Sequence, residues 1–375
     1  MEKEGPYTRG IPQDNWSTPF NPFNSMKYLL WREHLEAIVK NDFLVPYMVD
    51  IDPSNICNYN CIFCNSNVFR KQSPTMIPPE HLLKIADFIK EWGVKSACVS
   101  GGGEPMTNPG FTHFLRRLHK NNIKIGVISN GSLMNEEQAS AIVDTCSWCG
   151  FSIDAGTKET FSKVHNVKPE IFDQVIGNLK KLVKLKKERN SNIQITFKFL
   201  LHPLNANEIY TASINAKFIG CDVFHLRPVC WDNLYGQSHD KPISYSSVID
   251  TINKQIEQAQ WLENDKFQFF GIRHKFGAKL ERKVNFKKCL ATPMMTTFGA
   301  DGNVHLCFDV RGKSEWILCK HYPDPHKILD VWNSKKHKKI IESIDPNNCP
   351  RCTFSVLQEI IEEVIIKDKM FKDFL

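Results

Sequence analysis

The chain has 375 residues, 42% of them hydrophobic and 24% charged, which is ample for a packed core and fits one large domain with a smaller one. No stretch approaches the roughly 20 apolar residues that cross a bilayer, and residues 1–15 lack the apolar core of a secretory signal, so we predict a cytoplasmic protein with no membrane partner. The formal charge of +7 is spread along helical patterns and not gathered in an arginine-rich patch, which argues against a nucleic-acid partner.

After an N-terminal extension over residues 1–45, in which residues 25–39 form a predicted helix, strand and helix patterns alternate. The predicted strands cover residues 47–52, 96–100, 124–129, 149–154, 193–201 and 223–229. The helical patterns between them cover residues 79–92, 109–121, 136–145, 169–187 and 207–219. Such alternation indicates parallel strands with crossover helices. Because six units are too few for a closed eight-stranded barrel, we predict an α/β fold with a partial (β/α)6 parallel barrel over residues 46–232.

Several predicted strands carry polar residues on one face only. In the fifth strand, Phe197 and Phe199 alternate with Thr196 and Lys198. Since successive side chains point to opposite faces of a strand, the pattern predicts a barrel whose outside packs on helices and whose lumen is polar. The alternative is a sheet with one solvent-exposed face.

The pattern changes after the predicted barrel. Residues 233–284 are predicted as a connecting helical region with a helix at 244–261, and residues 285–375 as a small C-terminal α+β domain. In that domain Asp301 and Gly302 separate two alternating runs, 294–298 and 303–308, which is a hairpin signal. Two further helices are predicted at 326–343 and 354–371.

The chain contains 13 cysteines, and in a long chain from a reducing compartment grouped cysteines more often hold metal than form disulfides. Cys57, Cys61 and Cys64 follow the first predicted strand directly. Three thiolates leave one iron of a [4Fe–4S] cubane without a protein ligand, whereas zinc would need a fourth ligand. The spacing therefore predicts an iron–sulfur cluster with an open coordination position.

This motif, with Phe63 in its aromatic position, resembles the signature of the radical S-adenosylmethionine (SAM) superfamily. Further motifs of that family follow at the ends of successive strands: Gly102-Gly103-Glu104 after the second, Ser129-Asn130-Gly131 after the third and Ser152-Ile153-Asp154 after the fourth. Ligand sites in parallel α/β folds gather at this edge of the sheet.

The resemblance implies a role for each motif in binding SAM. Gly102, Gly103 and Glu104 would hold the amino group of the methionine moiety, and Ser129 and Asn130 match the family's next motif. The ribose hydroxyls would contact the Ser152 and Asp154 position, and adenine would contact the backbone at Phe63. The resemblance also implies reductive cleavage of SAM to a 5′-deoxyadenosyl radical, with an electron donor such as flavodoxin or ferredoxin.

A second cysteine set lies near the C-terminus. The order of Cys289, Gly302, Cys307 and then Cys349 with Cys352 resembles the SPASM auxiliary-cluster domain in its shortened twitch form. The resemblance implies one auxiliary [4Fe–4S] cluster, and a structural zinc ion on the same four thiolates is the alternative. Cys319 departs from the pattern and is predicted to be an unused core thiol.

Candidate substrate-facing residues lie on and beyond the later strands. Lys198, His225 and Arg227 are on polar faces, and Arg227 offers a planar fork for carboxylate, phosphate or vicinal hydroxyls. An ion pair with Asp50 or Asp52 is the alternative role for these cations. Cys230 lies just beyond the sixth strand, where a thiol could return a hydrogen atom to a substrate radical; a simply buried thiol is the alternative.

Relatives in the resembled family with one auxiliary cluster act on sugars and aminocyclitols as dehydrogenases, dehydratases and epimerases, and others modify ribosomally made peptides. The short, Asn- and Pro-rich extension does not suggest a leader-peptide module, which favours a carbohydrate or nucleotide-linked sugar over a peptide. A non-catalytic iron–sulfur or zinc protein that binds a partner is the alternative from another class.

Overall fold

The computed structural model describes residues 26–229, 243–273, 275–349 and 352–367. Over these residues the helices are α1 (Arg32–Val39), α2 (Asn67–Gln72), α3 (Pro79–Trp92), α4 (Phe111–Lys120), α5 (Glu136–Thr145), α6 (Lys158–His165), α7 (Glu170–Glu188), α8 (Ile209–Ile219), α9 (Ile249–Gln260), α10 (Lys335–Glu342) and α11 (Ser355–Glu359). The strands are β1 (Met48–Ile51), β2 (Ser96–Val99), β3 (Lys124–Ser129), β4 (Trp148–Ser152), β5 (Gln194–Leu201), β6 (Val223–Pro228), β7 (Gln268–Gly271), β8 (Met295–Phe298), β9 (Asn303–His305) and β10 (Ile317–Lys320). None of the helices in these ranges has the length and apolar character needed to span a membrane.

The strands of the described residues form one sheet in the order β10-β9-β8-β1-β2-β3-β4-β5-β6-β7. Strands β1 to β6 are adjacent in chain order and parallel, as the alternating pattern predicted. Strand β7 extends the sheet beside β6, and β8 extends it beside β1, both in parallel. The hairpin predicted around Asp301 and Gly302 is the antiparallel pair β8–β9. The C-terminal strands therefore continue the same sheet.

The prediction that residues 233–284 are helical is wrong in one part, because β7 lies there. A row of phenylalanines holds this strand in the sheet: Phe197, Phe224 and Phe269 are stacked across β5, β6 and β7 with ring centroids 5.6 and 5.4 Å apart. Aromatic pairs of this kind contribute about 0.5–1.5 kcal/mol beyond the apolar area that they bury. The row depends on strand register, which no local pattern in the sequence reveals.

The single helix predicted at 326–343 is also wrong. A short 3₁₀ turn at Pro325–Ile328 comes first, and α10 starts only after Ser334, whose hydroxyl accepts a hydrogen bond from the His337 backbone N–H. Asn333 has a φ of 61°, so the chain leaves the helical conformation just before this cap. In the same way the predicted helix at 25–39 is divided into a 3₁₀ turn at Met26–Leu30 and α1. Helices α2 and α6 were not predicted.

The two faces of the sheet differ in exposure. On one face, side chains such as Val49, Val99 and Val127 are fully buried in the core that the surrounding helices share. The other face carries Asp50, Cys98, Ser152, Lys198, His225 and Arg227, and is called the inner face. Four of these residues are only half-buried: Cys98, Ser152, Lys198 and Arg227. The residues on the helix-covered face, such as Val49, are buried. This division matches the predicted pattern of a helix-covered face and a polar face.

The inner face is not simply exposed to solvent. Asp50 is 4% and His225 is 8% exposed. Lys198 on β5 lies across β4, where its Cδ would be 2.7 Å from a Cβ added to Gly150. The Lys198 ammonium and the Arg311 guanidinium both lower the pKa of Cys98 on β2, against the larger upward effect of burial, so these side chains from distant parts of the sheet lie near one another.

Polar contacts also attach the C-terminal segment to the helices around β1. The buried rings of His81 on α3 and His321 are joined by a 3.0 Å contact between Nε2 and Nδ1, and His321 Nε2 donates to the Gly299 carbonyl at 2.8 Å. The Trp332 indole donates to the Leu44 carbonyl at 2.7 Å. Burial lowers the pKa of His321 to about 4, so both rings are neutral at pH 7.

Candidate functional site

The loop with the first three cysteines starts directly after β1. Cys57, Cys61 and Cys64 are all half-buried. Burial raises the pKa of Cys57 to about 11. Burial, and then the neighbouring Cys64 and Cys57, raise the pKa of Cys61 well above its ordinary value. The Cys57 and Cys61 thiols are therefore protonated at neutral pH, and binding of iron would release their protons.

The three cysteines of this loop are neighbours in the structure. Across the described residues, no three Cys, His, Asp or Glu side chains are arranged as ligands of one mononuclear ion. The three thiols are nevertheless electrostatic neighbours at the end of one strand. Three thiolates around a larger cubane leave one iron for an exogenous ligand. The loop thus has the ligand number that its spacing predicted.

Two residues that the sequence analysis missed support this loop. His165, the last residue of α6, lies with Nδ1 3.0 Å from Cys61 Sγ and with Nε2 2.8 Å from the Ile153 carbonyl. Burial lowers the pKa of His165 to about 4, so the neutral ring donates from Nε2 and accepts from the Cys61 thiol. Arg70 on α2 is buried and donates from Nη2 to the Tyr59 carbonyl at 2.9 Å. Its charge lowers the pKa values of Cys57 and Cys61 against the effect of burial.

The Gly102-Gly103-Glu104 turn packs directly on the cysteine loop. A Cβ on Gly103 would lie 2.3 Å from the Ile56 carbonyl oxygen, and one on Gly102 would lie 2.4 Å from Asn55 Oδ1. Glu104 is 2% exposed, and its carboxylate accepts hydrogen bonds from the Ser129 hydroxyl at 2.7 Å and from the backbone N–H groups of Asn130 and Met106 at 2.8 and 3.1 Å. A carboxylate offers about four acceptor positions, so one remains for an amino group.

We expect Gly103→Ala to displace the cysteine loop, because the new methyl group would overlap backbone atoms that cannot rotate away. The expected result is loss of at least about half of the cluster iron after anaerobic reconstitution, measured by iron and sulfide analysis. Gly177→Ala in α7 is the control, since a Cβ there meets no atom within 4 Å and alanine favours a helix by roughly 0.5–1 kcal/mol. Equal iron contents in the two variants would contradict the prediction.

A second set of hydrogen bonds joins the cysteine loop to the end of β3. The Asn130 side-chain amide donates to Asn58 Oδ1 at 2.9 Å, and the Asn58 amide donates to the Ser132 hydroxyl at 2.8 Å. Asn58 lies between Cys57 and Cys61, so this network positions the loop relative to the strand ends. Ser129 and Asn130 thus lie at the predicted edge, and their observed partners are protein groups.

Two of the residues predicted near ribose and adenine lie around His165: Asp154 Oδ2 is 3.6 Å from His165 Nε2, and the ring centroids of Phe63 and His165 are 5.9 Å apart. Ser152 is half-buried on the inner face, opposite Lys198 in register. Asp154 is fully buried, takes a φ of 56° and accepts from the Leu200 backbone N–H at 2.6 Å. Burial raises the pKa of Asp154 to about 7. Phe63 is buried against Val164 of α6, which anchors the cysteine loop on that helix.

The second cysteine set also comes together in the fold. Burial raises the pKa of all four thiols. Cys289 and Cys352 also raise the pKa of Cys307, and Cys289 also raises the pKa of Cys349. Cys319 lies apart from them on β10, where its neighbours are Lys336, Asp330 and Lys327. The four thiols predicted to act together are therefore neighbours, and Cys319 is not among them.

Thr353 connects this second set to the inner face. Its hydroxyl is 3.4 Å from Arg227 Nη2, and its carbonyl accepts a hydrogen bond from Lys275 Nζ at 2.7 Å. Its backbone N–H donates to Asp309 at 3.1 Å. Because Thr353 directly follows Cys352, the second cysteine set lies next to the predicted substrate-facing residues.

The inner face carries a concentration of positive charge. Lys198, Arg227 and Lys275 each lower the pKa of His225, in addition to the larger effect of burial. We call Lys198, Arg227 and Lys275 the cationic group. Lys198 and Arg227 were predicted from the sequence, whereas Lys275 was not, because no strand pattern marked its region. Cys230, the predicted hydrogen-atom donor, lies outside the described residues.

The structure shows a mixed α/β protein with three neighbouring cysteines in a loop at the strand ends, and part of the chain is similar to known proteins. Residues 51–209 match the Radical SAM superfamily. The chain is 29% identical over 99 residues to an S-adenosylmethionine-dependent nucleotide dehydratase of Thermoplasmatales archaeon (strain ISO4-H5), over 26% of this chain and 34% of that protein. It is 26% identical over 172 residues to a dehydratase of the same description from Selenomonas ruminantium, over 44% of this chain and 60% of that protein. The chain thus spans about a third to three fifths of these curated relatives.

The fold is similar to that of SuiB from Streptococcus suis bound to S-adenosylmethionine, with a TM-score of 0.62, 16% sequence identity and coverage of 90% of this chain and 79% of that one. This likeness concerns the fold. The match of residues 51–209 to the Radical SAM superfamily implies a [4Fe–4S] cluster and SAM as cofactors.

Proposed function

We propose that this protein is a radical SAM enzyme that cleaves SAM reductively and abstracts a hydrogen atom from a nucleotide-linked sugar or a related anionic carbohydrate. The observation that carries the substrate class is the cationic group on the inner face, where Lys198, Arg227 and Lys275 surround His225. Arginine and lysine are the residues that bind phosphate in proteins. The description of two relatives as nucleotide dehydratases supports a nucleotide as the anionic part.

In this proposal the chain's own residues hold the cofactors and the substrate. Cys57, Cys61 and Cys64 ligate three irons, and the bound cluster and SAM together supply the radical. Glu104 accepts a hydrogen bond from the methionine amino group. Ser152 faces the ribose, and its half-buried position on the inner face supports that role.

We also propose that residues 285–375 form a twitch-type domain in which Cys289, Cys307, Cys349 and Cys352 hold an auxiliary [4Fe–4S] cluster. The contacts of Thr353 with Arg227 and Lys275 support a position next to the substrate. An auxiliary cluster held there would supply an electron acceptor for a dehydrogenation, and a small electron carrier such as flavodoxin or ferredoxin would supply the electron for the first cluster. Dehydration and epimerisation use the same hydrogen abstraction.

Anaerobic incubation of reconstituted protein with SAM and dithionite tests the function. We expect 5′-deoxyadenosine, formed faster when UDP-glucose or a related nucleotide sugar is added. Lys198→Met is expected to raise the KM for the active nucleotide sugar about tenfold or more. Lys181→Met, at an exposed position of α7, is the control and leaves KM unchanged. Absence of 5′-deoxyadenosine under every condition would instead favour the non-catalytic, partner-binding alternative.

A peptide substrate is the second candidate. It is favoured by the similarity in fold to SuiB, which has also been solved bound to its precursor peptide SuiA, with a TM-score of 0.61. Addition of unstructured peptides to the same assay separates the two candidates. Stimulation by peptides with no response to nucleotide sugars would replace the proposed substrate class.

A further inference from the structure

Three residues on neighbouring strands form a row on the inner face. Asp50 of β1 lies opposite Thr297 of β8 on one side and opposite Cys98 of β2 on the other. Residues in register on adjacent parallel strands present their side chains on the same face. Asp50 is 4% and Thr297 is 0% exposed, whereas Cys98 is half-buried. The row therefore forms the floor of the inner face and is bordered by an accessible thiol.

Two polar atoms of this row have no hydrogen-bond partner among the described residues. They are Asp50 Oδ2 and Thr297 Oγ1. Buried polar atoms in proteins are almost always paired, and an unpaired one is destabilising. Two unpaired atoms on adjacent strands and on one face indicate a site for a ligand and not an accident of packing.

Neighbouring residues of the same two types do have hydrogen-bond partners within the protein. Asp52, two residues along the same strand direction, forms a buried ion pair with Arg311, whose Nη2 is 2.7 Å from Oδ1. Thr296, the neighbour of Thr297, donates its hydroxyl to the His305 carbonyl at 2.9 Å. Asp52 and Thr296 are thus satisfied within the protein, and Asp50 Oδ2 and Thr297 Oγ1 are not.

Arg311, the cation that lowers the pKa of Asp50, already has other hydrogen-bond partners. Arg311 directs its Nη1 to the Phe308 carbonyl and its other donors to Asp52. The Asp50 carboxyl has a long contact of 3.4 Å between Oδ1 and the Ser100 hydroxyl, and it accepts a hydrogen bond from the Cys98 thiol, which is a weak donor. Burial, opposed by Arg311, raises the pKa of Asp50 to about 7. Asp50 is therefore a buried carboxyl without a strong hydrogen-bond donor from the described residues.

We propose that Asp50 and Thr297 form a subsite for a hydroxyl group of the substrate, which donates to Asp50 Oδ2 and accepts from the Thr297 hydroxyl. This proposal rests on the proposed function and sharpens it: the substrate carries hydroxyl groups at the Asp50–Thr297 row and its anionic group at the cationic group. Lys198 of the cationic group extends across Gly150, and its charge acts on Cys98 of the row, so the two parts of the site are neighbours. A glycosyl nucleotide has both features.

Thermal unfolding of the reconstituted, substrate-free protein gives the first test. Asp50→Asn and Thr297→Val are expected to leave the unfolding midpoint unchanged or to raise it, because the first removes a poorly paired buried charge and the second removes an unpaired hydroxyl. The matched variants Asp52→Asn and Thr296→Val are expected to lower it by at least about 3 °C, because each breaks an existing interaction. If Asp50→Asn and Thr297→Val destabilise as much as their matched variants, the row is structural and the proposal is overturned.

Binding of UDP-glucose and of UDP gives the second test, and it separates the subsite from the proposed function. Asp50→Asn is expected to weaken UDP-glucose binding about tenfold or more while UDP binding stays the same, since UDP lacks the glycosyl hydroxyls. Lys198→Met should weaken both. If the wild type binds both probes and Asp50→Asn binds them equally well, the subsite is wrong and the substrate class stands. If the wild type binds neither, the substrate class is wrong, and the unfolding midpoints alone decide whether the row is a ligand site.

Discussion

We expect Cys61→Ala to lose about four irons per chain and all reductive cleavage of SAM. The variant keeps two of the three thiols in its loop, which is too few to hold a cubane that already lacks one protein ligand. Wild-type protein with both proposed clusters should contain about eight irons per chain, and the variant about four. Iron and sulfide analysis and detection of 5′-deoxyadenosine after dithionite reduction are the measurements.

Two other cysteine substitutions serve as controls for this result. Cys146→Ala, which removes a buried thiol at the end of α5, should leave both iron and SAM cleavage unchanged. Replacement of Cys289 and Cys349 together should also remove about four irons but leave cleavage of SAM in place, because the first cluster remains. Full iron content in Cys61→Ala would show that Cys57, Cys61 and Cys64 do not hold a cluster.

Loss of the buried ion pair between Asp52 and Arg311 should destabilise the protein strongly. The Asp52 side chain is 0% and the Arg311 side chain 6% exposed. Removing one partner of a buried pair leaves an uncompensated charge and typically costs about 3–5 kcal/mol. Arg311→Met is therefore expected to lower the free energy of unfolding by an amount in that range, measured by denaturant unfolding of the metal-free protein.

The exposed pair of Lys184 and Glu188 on α7, with 3.6 Å between Nζ and Oε1, is the matched control. Lys184→Met should change the free energy of unfolding by less than about 0.5 kcal/mol, because solvent screens exposed pairs. Adding Asp52→Leu to Arg311→Met should recover part of the lost stability, since no buried charge then remains. A loss below about 1 kcal/mol in Arg311→Met would contradict the prediction.

Much of the fold and the centre of the site follow from local sequence. The six parallel strands were predicted because β–α alternation has a period that the chain itself displays, and residues 79–92 and 136–145 correspond to α3 and α5 to the residue. The cysteine loop and the Gly102-Gly103-Glu104 turn were found in the same way, since their spacing is short and their positions at strand ends are set by the alternation. The polar face was visible in the period of 2 along β5.

Only the tertiary structure decided which distant residues complete the site. His165 and Arg70 contact the cysteine loop from helices that were not predicted, and Arg311 reaches Asp52 across 259 positions of the chain. The addition of β8 to β1 brings Thr297 beside Asp50. The physical reason is that register, side-chain direction and hydrogen-bond pairing between remote segments leave no periodic trace in the sequence. Local patterns therefore determined where the strands end and where the cysteines gather, and long-range packing decided which charged and polar groups complete the inner face.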